Sequence, residues 1–173
     1  MPKRWHIQPH DQAVVADIER SARVSSIVAR LLAARGLTAA DDVKSFLSGT
    51  MADLRDPELL PGVSEAAERI LNAAKAGKKI VIYGDYDADG MCATAILCAC
   101  LEAIDATPTY YVPDRFEEGY GLNGDALKHL AKQSTDLIVT VDCGIASLAE
   151  ASIARHLGIE LIITDHHTLA DSL

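Results

Sequence analysis

No apolar run in this chain of 173 residues approaches the roughly 18 residues needed to cross a bilayer. The most weakly polar stretch, Met91 to Leu101, is too short and is rich in Ala and Cys. The opening Met-Pro-Lys-Arg-Trp-His has two basic residues but no apolar core, so no signal peptide is expected. The four cysteines, Cys92, Cys98, Cys100 and Cys143, include no CxxC pair, and three fall on one predicted helix. They are expected to be small buried residues of a reducing cytoplasm, forming neither disulfides nor a structural zinc site. There is no Gly-Lys-Ser/Thr phosphate loop, which removes nucleotide-driven motors. Internal repeats and low-complexity segments are also missing. Basic charge is in deficit, with 16 Lys and Arg against 25 Asp and Glu and a net charge of −9. Taken alone, that fits an ordinary acidic protein better than a nucleic-acid surface, which usually carries a basic patch. Acids gathered around bound cations would weaken that objection, as would a basic surface on a further domain.

What the chain does have is apolar content, 49% of its residues. That is enough for one cored domain with an extension. Apolar positions recur with helical spacing from Gln12 to Arg35, and Gly36 is a natural stop. Thr38 is expected to cap a short helix running to Ser48 or Gly49. A linker-like stretch holds Asp56-Pro57 and Leu60-Pro61-Gly62, and Ser64 is expected to cap the helix after it. From there the period changes. Strands at 79–83, 108–112, 137–141 and 160–164 alternate with helices at 91–104, 124–132 and 147–157. Such alternation predicts right-handed crossovers and a parallel sheet. The expected organisation is a helical extension with its linker over 1–62 and an α/β domain over 63–173. The chain stops six residues after His167 with no helix covering its last strand. The domain is therefore expected to be incomplete, the front part of a longer protein.

Three of the apolar runs lead straight into chemistry. Strand 79–83 is followed by Gly84-Asp85-Tyr86-Asp87-Ala88-Asp89-Gly90, strand 137–141 by Asp142-Cys143-Gly144, and strand 160–164 by Asp165-His166-His167. In open α/β sheets, ligands sit outside the carboxyl ends of the strands. If these strands are neighbours, their acids and imidazoles converge. Two carboxylates about 5 Å apart repel by roughly 3 kcal/mol at an effective dielectric near 20, so three on one turn need counter-charge. One Asp for a helix cap is ordinary, and Asp89 is placed for that; three are not. An EF-hand loop would need Glu at position 12 from Asp85, where Ile96 stands. Mixed carboxylate and imidazole ligation suits Mn²⁺, with Mg²⁺ open as well. Asp142 could bridge two ions or simply end a strand. After strand 108–112, Arg115 could grip a phosphate or pair locally with Glu117 or Glu118. Tyr110, Tyr111 and Tyr120 could stack on bases or pack against the sheet.

Taken together, Tyr-Gly-Asp-Tyr-Asp-Ala-Asp-Gly, Pro-x-Arg-x-x-Glu-Gly-Tyr-Gly-Leu, Thr-Val-Asp-Cys-Gly-Ile and Ile-Thr-Asp-His-His resemble the DHH phosphoesterase superfamily. Within it the similarity is to the RecJ-type single-strand-specific 5′-to-3′ DNA exonucleases of bacteria. Trp5 and the segment from Leu59-Leu60-Pro61 to Ile70 share that resemblance. It implies a Rossmann-like parallel-sheet domain and metal-dependent phosphodiester hydrolysis with two Mn²⁺ or Mg²⁺ ions. By resemblance, Asp87 and Asp89 are metal ligands, with Asp85 a ligand or a support behind them. Asp142 bridges the ions and His166 is the metal-binding imidazole. Asp165 supports the site, His167 supports it or touches phosphate, and Arg115 approaches substrate. A fourth motif with another metal-binding Asp, a second domain and an oligonucleotide-binding domain belong to the family pattern and are absent from this sequence, so the fragment alone is expected to be weak or inactive. Implied partners are single-stranded DNA and, in a full-length setting, single-strand-binding protein and a helicase, with no membrane and a role in DNA repair and recombination. Two other readings share much of this pattern: a DHH enzyme for short oligoribonucleotides or cyclic dinucleotides, and a non-catalytic replication scaffold on the same fold.

Overall fold

The computed structural model describes residues 9–168. Trp5 lies outside them. The chain forms two compact units that meet in sequence at Leu59 and Leu60.

The first unit is helical. Helices α1 (Gln12–Ala22), α2 (Ser26–Ala34) and α3 (Ala40–Leu47) are followed by two short 3-10 turns, Met51–Asp53 and Pro57–Leu59. The apolar pattern over 12–35 suggests one helical stretch, but the structure breaks it. Arg23 takes a left-handed conformation, with φ +54°, and the Ser25 hydroxyl then accepts from the Val28 amide to start α2. The break lets α1 fold back on α2. Val15, Ile18, Ala29, Leu32 and Val43 can then share one small core, which a straight rod could not build. Thr38 does not cap α3. Ala39 stands at the cap position and offers no side-chain acceptor.

The second unit alternates strand and helix: α4 (Val63–Lys75), β1 (Ile80–Tyr83), α5 (Ala88–Glu102), β2 (Thr109–Tyr111), α6 (Gly124–Lys132), β3 (Leu137–Val141), α7 (Leu148–His156) and β4 (Glu160–Thr164). The four strands form one parallel sheet in the order β2-β1-β3-β4. The expected α/β class is therefore present. Side chains alternate between two faces, as the pleat requires. Val81, Tyr83 and Ile138 face Leu122, Leu127 and Leu130. Ile80, Ile82, Leu137 and Val139 face Ala73, Leu97 and Leu101. Burial on both faces explains why β1 and β3 read as unbroken apolar runs. Each such side chain contributes about 1.5–3 kcal/mol on leaving water.

Three local details differ from expectation. Gly62, with φ +79°, turns the chain into α4, so Ser64 sits inside the first helical turn and caps nothing. Helix α5 begins at Ala88, earlier than the pattern indicates, and its cap is Asp87 rather than Asp89. Cys92 and Cys100 are exposed and Cys98 is half-buried, leaving only Cys143 in the core. Helix α5 is apolar all round, but only one of its faces meets the sheet. Among the described residues, no helix is long and apolar enough to cross a membrane.

The chain order doubles back at β1, with β2 on one side and β3 on the other. This is the switch point at which open α/β sheets leave a crevice. Here α5 packs hard against the end of β1. A Cβ on Gly90 would lie 2.7–2.8 Å from the Asp85 Cβ, amide nitrogen and carbonyl oxygen. Gly90→Ala is therefore expected to cost about 1–3 kcal/mol, read by denaturant unfolding. An unchanged midpoint would mean that the helix and the Asp85 turn are not held in that contact.

Candidate metal centre

Strands β1, β3 and β4 are adjacent and end at the same edge, so the three motifs meet. Asp85 lies two residues past β1 and is only 1% exposed. Asp87 faces the same space while its Oδ1 accepts from the Gly90 amide at 3.1 Å. One carboxylate thus starts α5 and lines the crevice. Asp142 follows β3 in a left-handed conformation, φ +63°, with its amide donating to Thr164 O at 2.9 Å. That bond locks the end of β3 to the end of β4 and turns the Asp142 side chain inward, where it is 5% exposed.

Asp142 belongs to two overlapping ligand sets. It meets Asp85 and Asp87 in one, and His166 and His167 in the other. Within each set the candidate donor atoms lie within 4.8 Å of one another. His166 Nε2 approaches Asp142 Oδ1 at 2.9 Å and Asp89 Oδ2 at 3.7 Å. The 2.9 Å approach is close but not aligned as a hydrogen bond. Both Asp142 oxygens and Asp85 Oδ1 are therefore buried without a donor. Such orphaned carboxylate oxygens are costly. A divalent cation satisfies them, and the oxygen-plus-imidazole donor set suits Mn²⁺ or Mg²⁺. The residues present fit the ions.

The electrostatics agree. Burial pushes the Asp142 carboxyl above its ordinary range, and the charges of Asp89 and Asp87 push it further. Burial also raises Asp85, with Asp87 adding to it. Asp87 itself is lowered, its carboxylate accepting from the Gly90 amide. Asp165 is different. Burial works to raise it, but donors from Ile145 N (2.9 Å), His167 N (3.0 Å) and His167 Nδ1 (2.7 Å) outweigh burial and lower it. The same Asp165 contact raises His167. Asp165 therefore holds the His167 ring in place, while the Tyr120 hydroxyl lies 3.2 Å from that ring and donates to Asp142 O at 3.3 Å.

Arg115 is on the exposed loop after β2. It makes no ion pair with Glu117 or Glu118; its guanidinium lies over the Tyr86 ring, 5.3 Å from the centroid. Glu118 is occupied instead by the Tyr111 hydroxyl and the Asp114 amide. Of the tyrosines, Tyr111 stacks on Tyr83 within the fold, whereas Tyr120 stands at the site. Sequence reasoning missed Tyr86 and the anchoring role of Glu118. Both stand in the quoted motifs, Tyr86 between Asp85 and Asp87 and Glu118 three residues past Arg115, but the sequence assigns neither of them a partner.

A family model described as the DHH family, N-terminal domain, matches residues 79–173, more than half of the chain. The chain belongs to the DHH family. Its similarity to the single-stranded-DNA-specific exonuclease RecJ of Bacillus subtilis is 43% identity across 95% of this chain and 21% of that protein. For RecJ of Escherichia coli it is 36% across 98% of this chain and 29% of that protein. The chain thus spans less than a third of the length of these relatives. Among solved structures, exonuclease RecJ bound to manganese superposes with a TM-score of 0.61 at 43% identity, over 66% of this chain and 30% of that one. RecJ with Mn²⁺ from Thermus thermophilus gives 0.63 at 32%, over 98% and 23%. The DHH sheet and the three acidic strand ends lie within the matched region.

The sign of the Asp142 shift yields a test. Its folded-state value lies above its unfolded value, so ionisation opposes folding. Stability is lost as pH rises from the ordinary carboxylate range through the raised value, and the deficit is complete above it. In metal-free protein, Asp142→Asn is expected to raise stability at pH 7 by about 1–2 kcal/mol. The gain should shrink as pH falls through that window, read by denaturant unfolding at several pH values. Asn is tolerated at positive φ, so the backbone is not the cause. A gain independent of pH would contradict the buried charge.

Proposed function

We propose that this chain is the catalytic metal-binding portion of a single-stranded-DNA-specific 5′-to-3′ exonuclease that hydrolyses phosphodiesters with two Mn²⁺ or Mg²⁺ ions. The observation that carries this is Asp142, buried, without a hydrogen-bond donor and shared by two ligand sets. The names of the Bacillus subtilis and Escherichia coli relatives state a single-stranded-DNA-specific exonuclease, and solved RecJ relatives hold Mn²⁺ or Mg²⁺.

In this reading Asp87, Asp89, Asp142 and His166 hold the ions, with Asp85 a further ligand behind Asp87. When bound, the two ions supply an activated water and neutralise charge developing on the phosphate. Asp142 fixes the spacing of the pair, because one rigid strand end serves both. Asp165 fixes the His167 ring, and its carboxylate favours the protonated imidazole, so His167 can donate to a phosphate oxygen. Arg115 sits at the rim on the Tyr86 face and can fork onto a neighbouring phosphate. We place the activity in the cytoplasm, consistent with four free cysteines, in repair and recombination, beside single-strand-binding protein and a helicase.

Two measurements test the proposal. Calorimetry is expected to show Mn²⁺ binding that Asp142→Ala abolishes while far-UV circular dichroism stays native. In the full-length protein, Asp142→Ala is expected to cut Mn²⁺-dependent nucleotide release from a 5′-phosphorylated single strand by at least about 100-fold. Wild-type turnover in that variant would discard the shared-ligand role, and preference for a dinucleotide over a long single strand would discard the exonuclease.

A further inference from the structure

The loop from Pro113 to Leu122 is tied down along its length. The Tyr111 hydroxyl donates to Glu118 Oε1 at 2.5 Å and the Asp114 amide to Glu118 Oε2 at 2.8 Å. The Asp114 carboxylate in turn accepts from the Phe116 and Glu117 amides at 2.8 and 3.0 Å. The Tyr83 hydroxyl donates to Gly121 O at 3.0 Å and receives from the Asn123 side chain at 3.2 Å. At the crest of the same turn, however, the Phe116 ring is 95% exposed, the most exposed of the large apolar side chains described. The turn holds this phenyl out in water.

Its surroundings suggest what it meets. The residues beside Phe116 in the chain are Asp114, Arg115 and Glu117, all exposed and charged. A protein-docking surface would be a contiguous apolar patch; this is a single ring between charges. From Arg115 a run of π faces leads inward. The guanidinium lies over Tyr86, Tyr86 meets Tyr120 edge-on at 6.3 Å between centroids, and Tyr120 meets His167 at 5.9 Å. His167 is part of the metal centre. A flat ring, a cation and a metal site in series match a nucleotide strand, with a base on the ring and phosphates on the cation and the metal.

We propose that Phe116 stacks on a nucleobase of the single strand, one that flanks the phosphate reached by Arg115. This rests on the exonuclease reading above and adds to it a base contact. Bases within a duplex are covered on both faces and cannot offer one to the ring. The contact therefore favours single strands without reading sequence.

The test uses the full-length protein with Mn²⁺ and a 5′-phosphorylated oligothymidylate, beside a matched strand whose first four residues are abasic. Phe116→Ala is expected to weaken binding of the oligothymidylate about 5- to 100-fold by fluorescence anisotropy. Phe116→Trp is expected to restore it, and Phe116→Ala to leave binding of the abasic strand unchanged. With the ring almost wholly in water, its removal does not threaten the fold. Equal affinity of Phe116→Ala and wild type for the oligothymidylate would overturn the proposal and assign the ring to a protein contact. An equal loss on both strands would overturn it too. Failure of the exonuclease reading looks different: the wild type would release no nucleotides, whatever Phe116 does to binding.

Discussion

Asp142 carries a constraint that the rest of the domain is arranged around. Its carboxylate is buried at the end of β3, close to the acids of the Asp85–Asp89 turn, with no donor on either oxygen. Among the described residues, no lysine or arginine pairs with it. Multivalent positive charge makes the arrangement comfortable, and the metal-free fold bears the cost. A domain shaped for stability alone would have placed an amide or an apolar residue there. Stability and function pull against each other at this point, as they commonly do in active sites.

The remaining structure supplies the rigidity that such crowding needs. The β3–β4 ladder positions Asp142 through the hydrogen bond that its backbone N–H donates to Thr164 O. Helix α5 is pressed onto the Asp85 turn through Gly90, where no side chain fits. Asp165 directs its charge to two amides and one imidazole, so it orients rather than crowds. Carboxylates of one sequence signature thus have distinct jobs, set by how many donors each one finds.

The chain's overall acidity also takes a different meaning. A net charge of −9 argues against contact with nucleic acid only when the acids are spread over the contacting face. Here several of them sit inside the crevice, where cations would invert the local sign. Arg115, on the rim, lies against an aromatic face rather than an acid.

Much of this was legible in the sequence. Strand-length segments alternating with helices pointed to the parallel sheet, and its two central strands, β1 and β3, are buried along their whole length because both of their faces are covered. Acids and histidines placed directly after those runs had to fall at the carboxyl edge. The sequence could not say that β1, β3 and β4 lie side by side, since strand order is set by crossovers between distant segments. Nor could it show that Asp87 rather than Asp89 caps α5, that Arg115 turns to Tyr86 instead of Glu118, or that the helical pattern over 12–35 breaks at Arg23. Each of those depends on which partner is within reach once the chain has folded. Residue types and periods determined the layers and the chemistry available; only the packing of remote segments decided which oxygens were left without a donor, and that is what makes the place a site.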